Sequence, residues 1–342
     1  MAARLAQVEG AEHTAMLGLG VYRPARVVTN EEVAGPIDSS DEWIHSRSGI
    51  RTRRFASDAE TIIEMSAAAG RGALAAAGIS PEHVDCVIVA TSTWLLLTPA
   101  AAPQIATALG MNHPAAFDIS AGCAGFCHAL AVGSDLVKGG TAKYALVIGV
   151  ERLTDTVDPT DRGTAFLFAD GAGAVVIGPS DEPGIGPTVW GSDGTQHRAI
   201  RQDKDWMEFF AEIDEKGPDA VRPYLAMEGT AVFRWAAHSL KTVCLDAIDR
   251  AGLTPADIDA MVPHQANGRI IEIMSRELKL SQDTALANDI EHTGNTSAAS
   301  IPLAMEALLR SGETKPGADA LLVAFGAGLS YAAQVVKLPN WQ

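Results

Sequence analysis

Cysteine is scarce. The 342 residues hold four (Cys86, Cys123, Cys127 and Cys244), with no CxxC pair. That excludes a dense disulfide framework and fits reduced thiols in a cytoplasmic protein. Cys123 and Cys127 share a helical face, but two sulfurs without two further ligands make a poor zinc site, so no metal is expected. Basic residues are also short: 26 Lys and Arg stand against 42 Asp and Glu, a net charge of −16. Nucleic-acid binding needs clustered cations, so it is excluded as the main business of the chain. An acidic partner would have to dock on a local basic patch. No apolar run approaches the roughly 18–20 residues that span a bilayer. The opening MAARLAQVEGAEHT carries two Glu and lacks the apolar core of a secretory signal; residues 1–14 are expected to form a flexible tail.

What remains is a globular composition, 47% hydrophobic and 20% charged, long enough for two domains or two tightly packed halves. Strands are expected at Ala15–Tyr22 and Val27–Thr29, a polar Arg-rich helix and loop at Asp38–Arg54, and an Ala-rich amphipathic helix at Thr61–Ala77, ended by Gly78. Val84–Ala90 (VDCVIVA) and Lys143–Val150 (KYALVIGV) have the continuous apolar character of buried parallel strands. Asp161–Gly178 looks like two strands about a Gly turn, a hairpin. Thr91–Pro103, with its exposed-looking Leu residues, is a loop suited to a dimer contact or a substrate wall.

The second half repeats the first. AGISPEHVD at Ala77–Asp85 aligns with AGLTPADID at Ala251–Asp259, an offset of 251 − 77 = 174. Tyr144–Ile148 aligns with Asp319–Val323 at 319 − 144 = 175. Duplicated units of helix, Gly stop, Pro turn and buried strand imply an α/β fold with pseudo-twofold symmetry and mostly parallel sheets covered by helices. The expected division is 15–178, a connector at 179–224 that caps a pocket, and 225–342.

Asp118–Phe126 (DISAGCAGF) places Cys123 in a small-residue turn between a strand and a helix. Unpaired N–H groups and the helix dipole there favour a thiolate. A buried structural cysteine is the competing explanation. Adding 175 to 123 reaches Ala298 inside HTGNTSAAS, another small-residue turn opening a helix, while the repeated strand runs out into VPHQAN. Cys123, His264 and Asn295 therefore lie on loops related by the repeat, converging where such sheets hold their ligands. Nucleophile, base and orienter chemistry needs these three residue types together.

In order along the chain, DSSDEWIHSRSGIRTRR, DISAGCAGF, DRGTAFLFADGAGA, VPHQANGRII, HTGNTSAAS and AFGAGLS resemble the β-ketoacyl-acyl carrier protein (ACP) synthase III family over about Met16–Lys337. The resemblance implies a thiolase fold, two similar halves in a five-layered αβαβα sandwich, as a homodimer. It implies decarboxylative condensation of an acyl-CoA starter with malonyl-ACP, initiating fatty acid or polyketide synthesis, with no cofactor beyond these substrates. Cys123 would carry the acyl group, with His264 and Asn295 donating to the developing enolate. The Cys123 N–H and the Gly326-Ala327-Gly328 loop would form an oxyanion hole, and Phe325 an apolar wall. Trp43 and Arg162 would sandwich the adenine of CoA, Arg47 and Ser48 would touch its nucleotide end, and Gly229, Phe233, Ala266 and Asn267 would line the pantetheine channel. Arg234, Arg269 and Arg276 would receive the acidic carrier protein. Thr98, coming from the second subunit, would close the acyl pocket and leave room for branched or medium starters. Thr230 stands where many relatives have Asn, and Ala327 where Gly is common. Acyl transfer to an alcohol or amine, a degradative thiolase, and an inert structural subunit are the alternatives. The intact His264/Asn295 pair, the lack of a second cysteine near the C-terminal glycine loop, and Cys123 itself argue against them in turn.

Overall fold

The computed structural model describes Leu5 and residues 8–341. Part of the expected 1–14 tail (1–4, 6 and 7) lies outside the described residues. The rest of it is more ordered than expected: the Ala11 N–H donates to Val137 O, and the first strand already begins at His13.

Two five-stranded sheets carry the molecule. The first uses β1 (His13–Tyr22), β2 (Cys86–Ala90), β3 (Ala115–Ile119), β4 (Ala145–Arg152) and β5 (Asp170–Ser180), in the spatial order β1-β5-β4-β2-β3. The second uses β6 (Val189–Ser192), β7 (Ala260–Pro263), β8 (Ala285–Leu286), β9 (Asp319–Gly326) and β10 (Ser330–Lys337), in the equivalent order β6-β10-β9-β7-β8. Each sheet is parallel across three strands and antiparallel over the remaining two, so the expectation of mostly parallel sheets is corrected to mixed ones.

The longer helices are α1 (Asp41–Ser48), α2 (Ile62–Ala77), α3 (Ala102–Ala108), α4 (Gly125–Lys138), α5 (Trp206–Lys216), α6 (Gly229–Arg250), α7 (Gly268–Leu278) and α8 (Ser300–Ser311). Side-chain alternation on β2 shows why the layers form. Cys86, Ile88 and Ala90 join a core containing α4 and α8, whereas Val87 and Val89 join another containing α2 and α3. Met261, Leu321 and Val323 of the second sheet pack on α6 and α7. Three apolar interfaces thus stack five layers, with α4 and α8 buried in the middle, as a doubly covered sheet requires. This is the thiolase fold, with duplicated halves.

The repeat holds in detail. Gly78 and Gly252 end equivalent helices with φ of 65° and 74°, and Pro81–His83 and Pro255–Asp257 form equivalent 3₁₀ turns. Asp85 accepts from Tyr144 N–H as Asp259 accepts from Asp319 N–H. Three local expectations are corrected. Asp161–Gly178 is no hairpin; buried turns through Phe168 precede the single strand β5. Arg51–Arg54 is not simply loop, because Thr52–Phe55 pairs with Arg26–Thr29. The 179–224 connector contributes β6 to the second sheet and contains α5, so it is not merely irregular.

Candidate active site

One cavity of about 610 Å³ opens where the two repeated turns meet. Cys123, His264, Asn295, Phe325, Ala327, Arg47, Gly229, Phe233, Ala266, Asn267 and Arg269 all line it. Cys123 is the middle residue of the 3₁₀ turn Gly122–Ala124, immediately ahead of α4; Ala298 is the middle residue of Ser297–Ala299, immediately ahead of α8. Their spacing is 298 − 123 = 175, as the repeat requires. Gly122 and Ser297 occupy the same place in each turn, with φ of 52° and 48°. Glycine adopts that conformation freely, but a serine there costs about 1–2 kcal/mol. A side chain is thus kept where glycine would be easier.

Each group is held by its own fixings. The His264 N–H donates to Val323 O at 2.7 Å, locking the end of β7 beside β9. Ser300 Oγ lies 2.7 Å from His264 Nδ1 and accepts from the Gln265 N–H at 3.4 Å. The Gln265 N–H can only donate, so among the described partners His264 Nδ1 is the acceptor for the Ser300 proton, which leaves the imidazole proton on Nε2. Burial lowers the His264 pKa to about 3, so the ring is neutral. Phe325 meets it edge-on at 5.5 Å. Asn295 is pinned by Asn295 N–H to Leu167 O and Ala169 N–H to Asn295 O, both 2.9 Å. Its Oδ1 accepts from the Ser297 N–H at 2.9 Å, which leaves Nδ2 as the free donor.

Cys123 differs from the sequence expectation. Burial pushes its thiol up to about 12, in the direction opposite to the thiolate expected at a helix terminus. The glycine loop closes on it from behind. A Cβ on Gly326 would stand 2.5 Å from Cys123 N, so only glycine allows this approach. The left-handed residue of that loop is Gly328 (φ 131°), not Ala327, whose backbone is unstrained.

The remaining predicted residues divide. Arg162 lies 4.8 Å over the Trp43 ring and Arg47 5.7 Å, so the three do cluster at the rim. A base between Trp43 and Arg162 needs roughly twice the usual 3.5–4 Å contact distance, so Arg162 must lift away to admit one. Asn267 caps α7, accepting from Arg269 N–H, and its Nδ2 donates to Arg47 O at 3.0 Å. Arg269 stacks on Phe233 at 5.6 Å, and Arg234 and Arg276 are exposed on α6 and α7. Ser48 is corrected: it is fully buried, donating to Ile44 O and accepting from Ile50 N–H, so it cannot touch a nucleotide. Thr98 lies on the exposed surface outside this chain's cavity, whereas Leu95 and Leu97 of the same loop line it.

Several functional positions escaped the sequence. Ile200, Arg201, Gln202 and Trp206, from the connector, form part of the wall. Ser300, Ser297 and Glu151 sit behind the reacting groups. The only signal in the sequence for any of them was Ser297, which stands where the repeat places Gly122.

Comparisons agree with this geometry. Residues 117–194 match the family model for 3-oxoacyl-[acyl-carrier-protein] synthase III, and residues 248–338 match the model for its C-terminal part. β-Ketoacyl-[acyl-carrier-protein] synthase III of Mycobacteroides abscessus is 57% identical over 98% of both chains. The mycobacterial β-ketoacyl-[acyl-carrier-protein] synthase III of Mycolicibacterium paratuberculosis is 56% identical, over 98% of this chain and 99% of the other. Among solved structures, the priming β-ketosynthase of the R1128 polyketide biosynthetic pathway superimposes with a TM-score of 0.94 at 45% identity, covering 98% and 99% of the two chains. The synthase III of Pseudomonas aeruginosa does so at 0.88 and 36%, covering 97% and 100%. With a cysteine, a neutral imidazole and a carboxamide facing one cavity between duplicated halves, and with these relatives along nearly its whole length, the chain belongs to the β-ketoacyl-acyl carrier protein synthase III family.

Proposed function

We propose that this protein is an acyltransferase that condenses an acyl-CoA starter with malonyl-ACP to give β-ketoacyl-ACP, carbon dioxide and CoA. The observation that carries the reading is the shared cavity of Cys123, His264 and Asn295. Cys123 attacks the acyl-CoA thioester and keeps the acyl group as a new thioester, dividing one difficult step into two. The N–H groups of Cys123 and Ala327 receive the tetrahedral oxyanion. Malonyl-ACP then loses carbon dioxide, and the charge on its thioester oxygen is met by His264 Nε2–H and Asn295 Nδ2–H. A neutral imidazole suits this donor role, because it gives up no proton and needs none. Phe325 makes the carboxylate's surroundings apolar, which favours its departure. The enolate carbon finally attacks acyl-Cys123 and releases the sulfur.

CoA enters past Trp43, Arg47 and Arg162, with Gly229, Phe233, Ala266 and Asn267 along its arm. Arg234, Arg269 and Arg276 supply the cationic surface that an acidic carrier protein needs on a protein of net charge −16. A homodimer is supported by the edge strand β3, which exposes Phe117, and by the exposed Leu95–Leu97 loop. Thr98 would then reach the neighbouring subunit's acyl pocket, in favour of branched or medium starters. We place the enzyme in the cytoplasm, where four free thiols stay reduced. No helix among the described residues is long and apolar enough to cross a membrane.

Intact-mass spectrometry tests the reading. Acyl-CoA should add one acyl group to Cys123, and malonyl-ACP should remove it as ketoacyl-ACP. No adduct, or an adduct that malonyl-ACP leaves in place, overturns it. A panel of starters in the same assay ranks the primers.

A further inference from the structure

A resting thiol needs somewhere to send its proton, and His264 is already committed: Nδ1 accepts from Ser300 and Nε2 carries the donor proton. Ser297 lines the same cavity as Cys123, and its Oγ donates to Glu151 Oε1 at 3.1 Å. Glu151 is fully buried at the end of β4 and makes no ion pair among the described residues. Its carboxylate accepts from Thr93 Oγ1 at 2.6 Å, from Ser92 Oγ at 2.9 Å and from the Ser92 N–H at 3.1 Å. A purely structural buried carboxylate is expected to pair with a cation. This one instead faces hydroxyls and one backbone donor, and its single link toward the nucleophile is the serine held at positive φ.

We propose that Ser297 and Glu151 form the proton relay that activates Cys123 for acylation. The Cys123 S–H proton passes to Ser297 Oγ as the Ser297 hydroxyl proton passes to Glu151 Oε1. The sulfur lone pair forms the bond to the acyl carbon, and the carbon–sulfur bond to CoA breaks. The proton returns along the same path to the departing CoA sulfur, so no charge or proton is left over. In this relay Ser297 exchanges a proton with the reacting sulfur, and Glu151 acts through it. Burial raises the Glu151 pKa from the ordinary carboxylate range, which makes it a competent acceptor. The other titratable groups at the site do not compete. His264 stays neutral, and burial pushes the thiol of Cys127 to about 12.

The inference rests on acylation of Cys123, so its test includes a reaction independent of acyl-CoA. Iodoacetamide alkylation of Cys123 is followed against pH by intact mass. With the relay, thiolate beside protonated Glu151 is a tautomer of thiol beside carboxylate, so the wild-type rate stays nearly level from roughly pH 6 to 9. In Glu151→Gln and in Ser297→Ala the thiolate forms only by loss to water, and the rate should climb about tenfold per pH unit. Acylation by acyl-CoA at neutral pH should fall on the order of 10²-fold in both variants. Decarboxylation of malonyl-ACP by enzyme already alkylated at Cys123 should change little, because the Ser297 N–H that orients Asn295 is backbone. Variant profiles that superimpose on wild type overturn the relay. So does an equal fall of acylation and decarboxylation, which would make Glu151 merely structural. Ser297→Ala keeps the test decisive if Glu151→Gln does not fold. A level wild-type profile with no acyl adduct would sink the proposed function and leave the relay standing.

Discussion

Ser300 is the residue on which the acid–base character of the site turns. The Gln265 N–H beside it can only donate, so its own proton goes to His264 Nδ1, and the imidazole then presents Nε2–H to the cavity. Ser300→Ala should free the ring to take the other tautomer and drop decarboxylation of malonyl-ACP by about tenfold to a hundredfold, short of removing a donor outright. Acylation of Cys123 by acyl-CoA should be nearly unaffected. Single-turnover measurement of the two half-reactions separates them; an equal loss in both would assign Ser300 to folding instead.

At the scale of elements, the turns ahead of α4 and α8 and the loop after β9 fix where the sulfur sits. Gly326→Ala should push a methyl into Cys123 N, lower stability by about 1–3 kcal/mol and slow acylation, read as a fall in Tm together with a slower adduct. An unchanged adduct rate would show that the loop yields. Much at this scale was legible in the chain: β2 and the first part of β4, residues 145–150, are unbroken apolar runs, and the repeated Gly stop and Pro turn placed Ala298 opposite Cys123. Cys123, His264 and Asn295 were legible for the same reason, since each lies at a fixed distance from a repeat landmark. Other parts were not. Val189–Ser192 hides among Gly and Pro because its pairing with β10 is non-local. Thr164–Phe168 looks like a strand because a continuously buried apolar run in turns imitates a core strand. The protonation of Cys123 and the roles of Ser48 and Glu151 depend on burial, which residue spacing does not encode.

For the molecule as a whole, charge decides who may approach. Against a net −16, Arg234, Arg269 and Arg276 are exposed on α6 and α7, and Arg269 lines the cavity. Arg269→Glu should weaken turnover with malonyl-ACP by about tenfold or more at low salt, with less effect as salt rises. Acylation by CoA should hold. Equal losses with both substrates would move the docking surface elsewhere.

The single 610 Å³ chamber has a further consequence for the order of events. Both thioesters must bring a long arm through this one chamber to the same sulfur, past Phe233, Ala266 and Asn267. The first product has to leave before the second substrate can arrive. Initial-rate plots at several fixed concentrations of the co-substrate should therefore be parallel, with free CoA competing against malonyl-ACP; intersecting lines would require a second doorway.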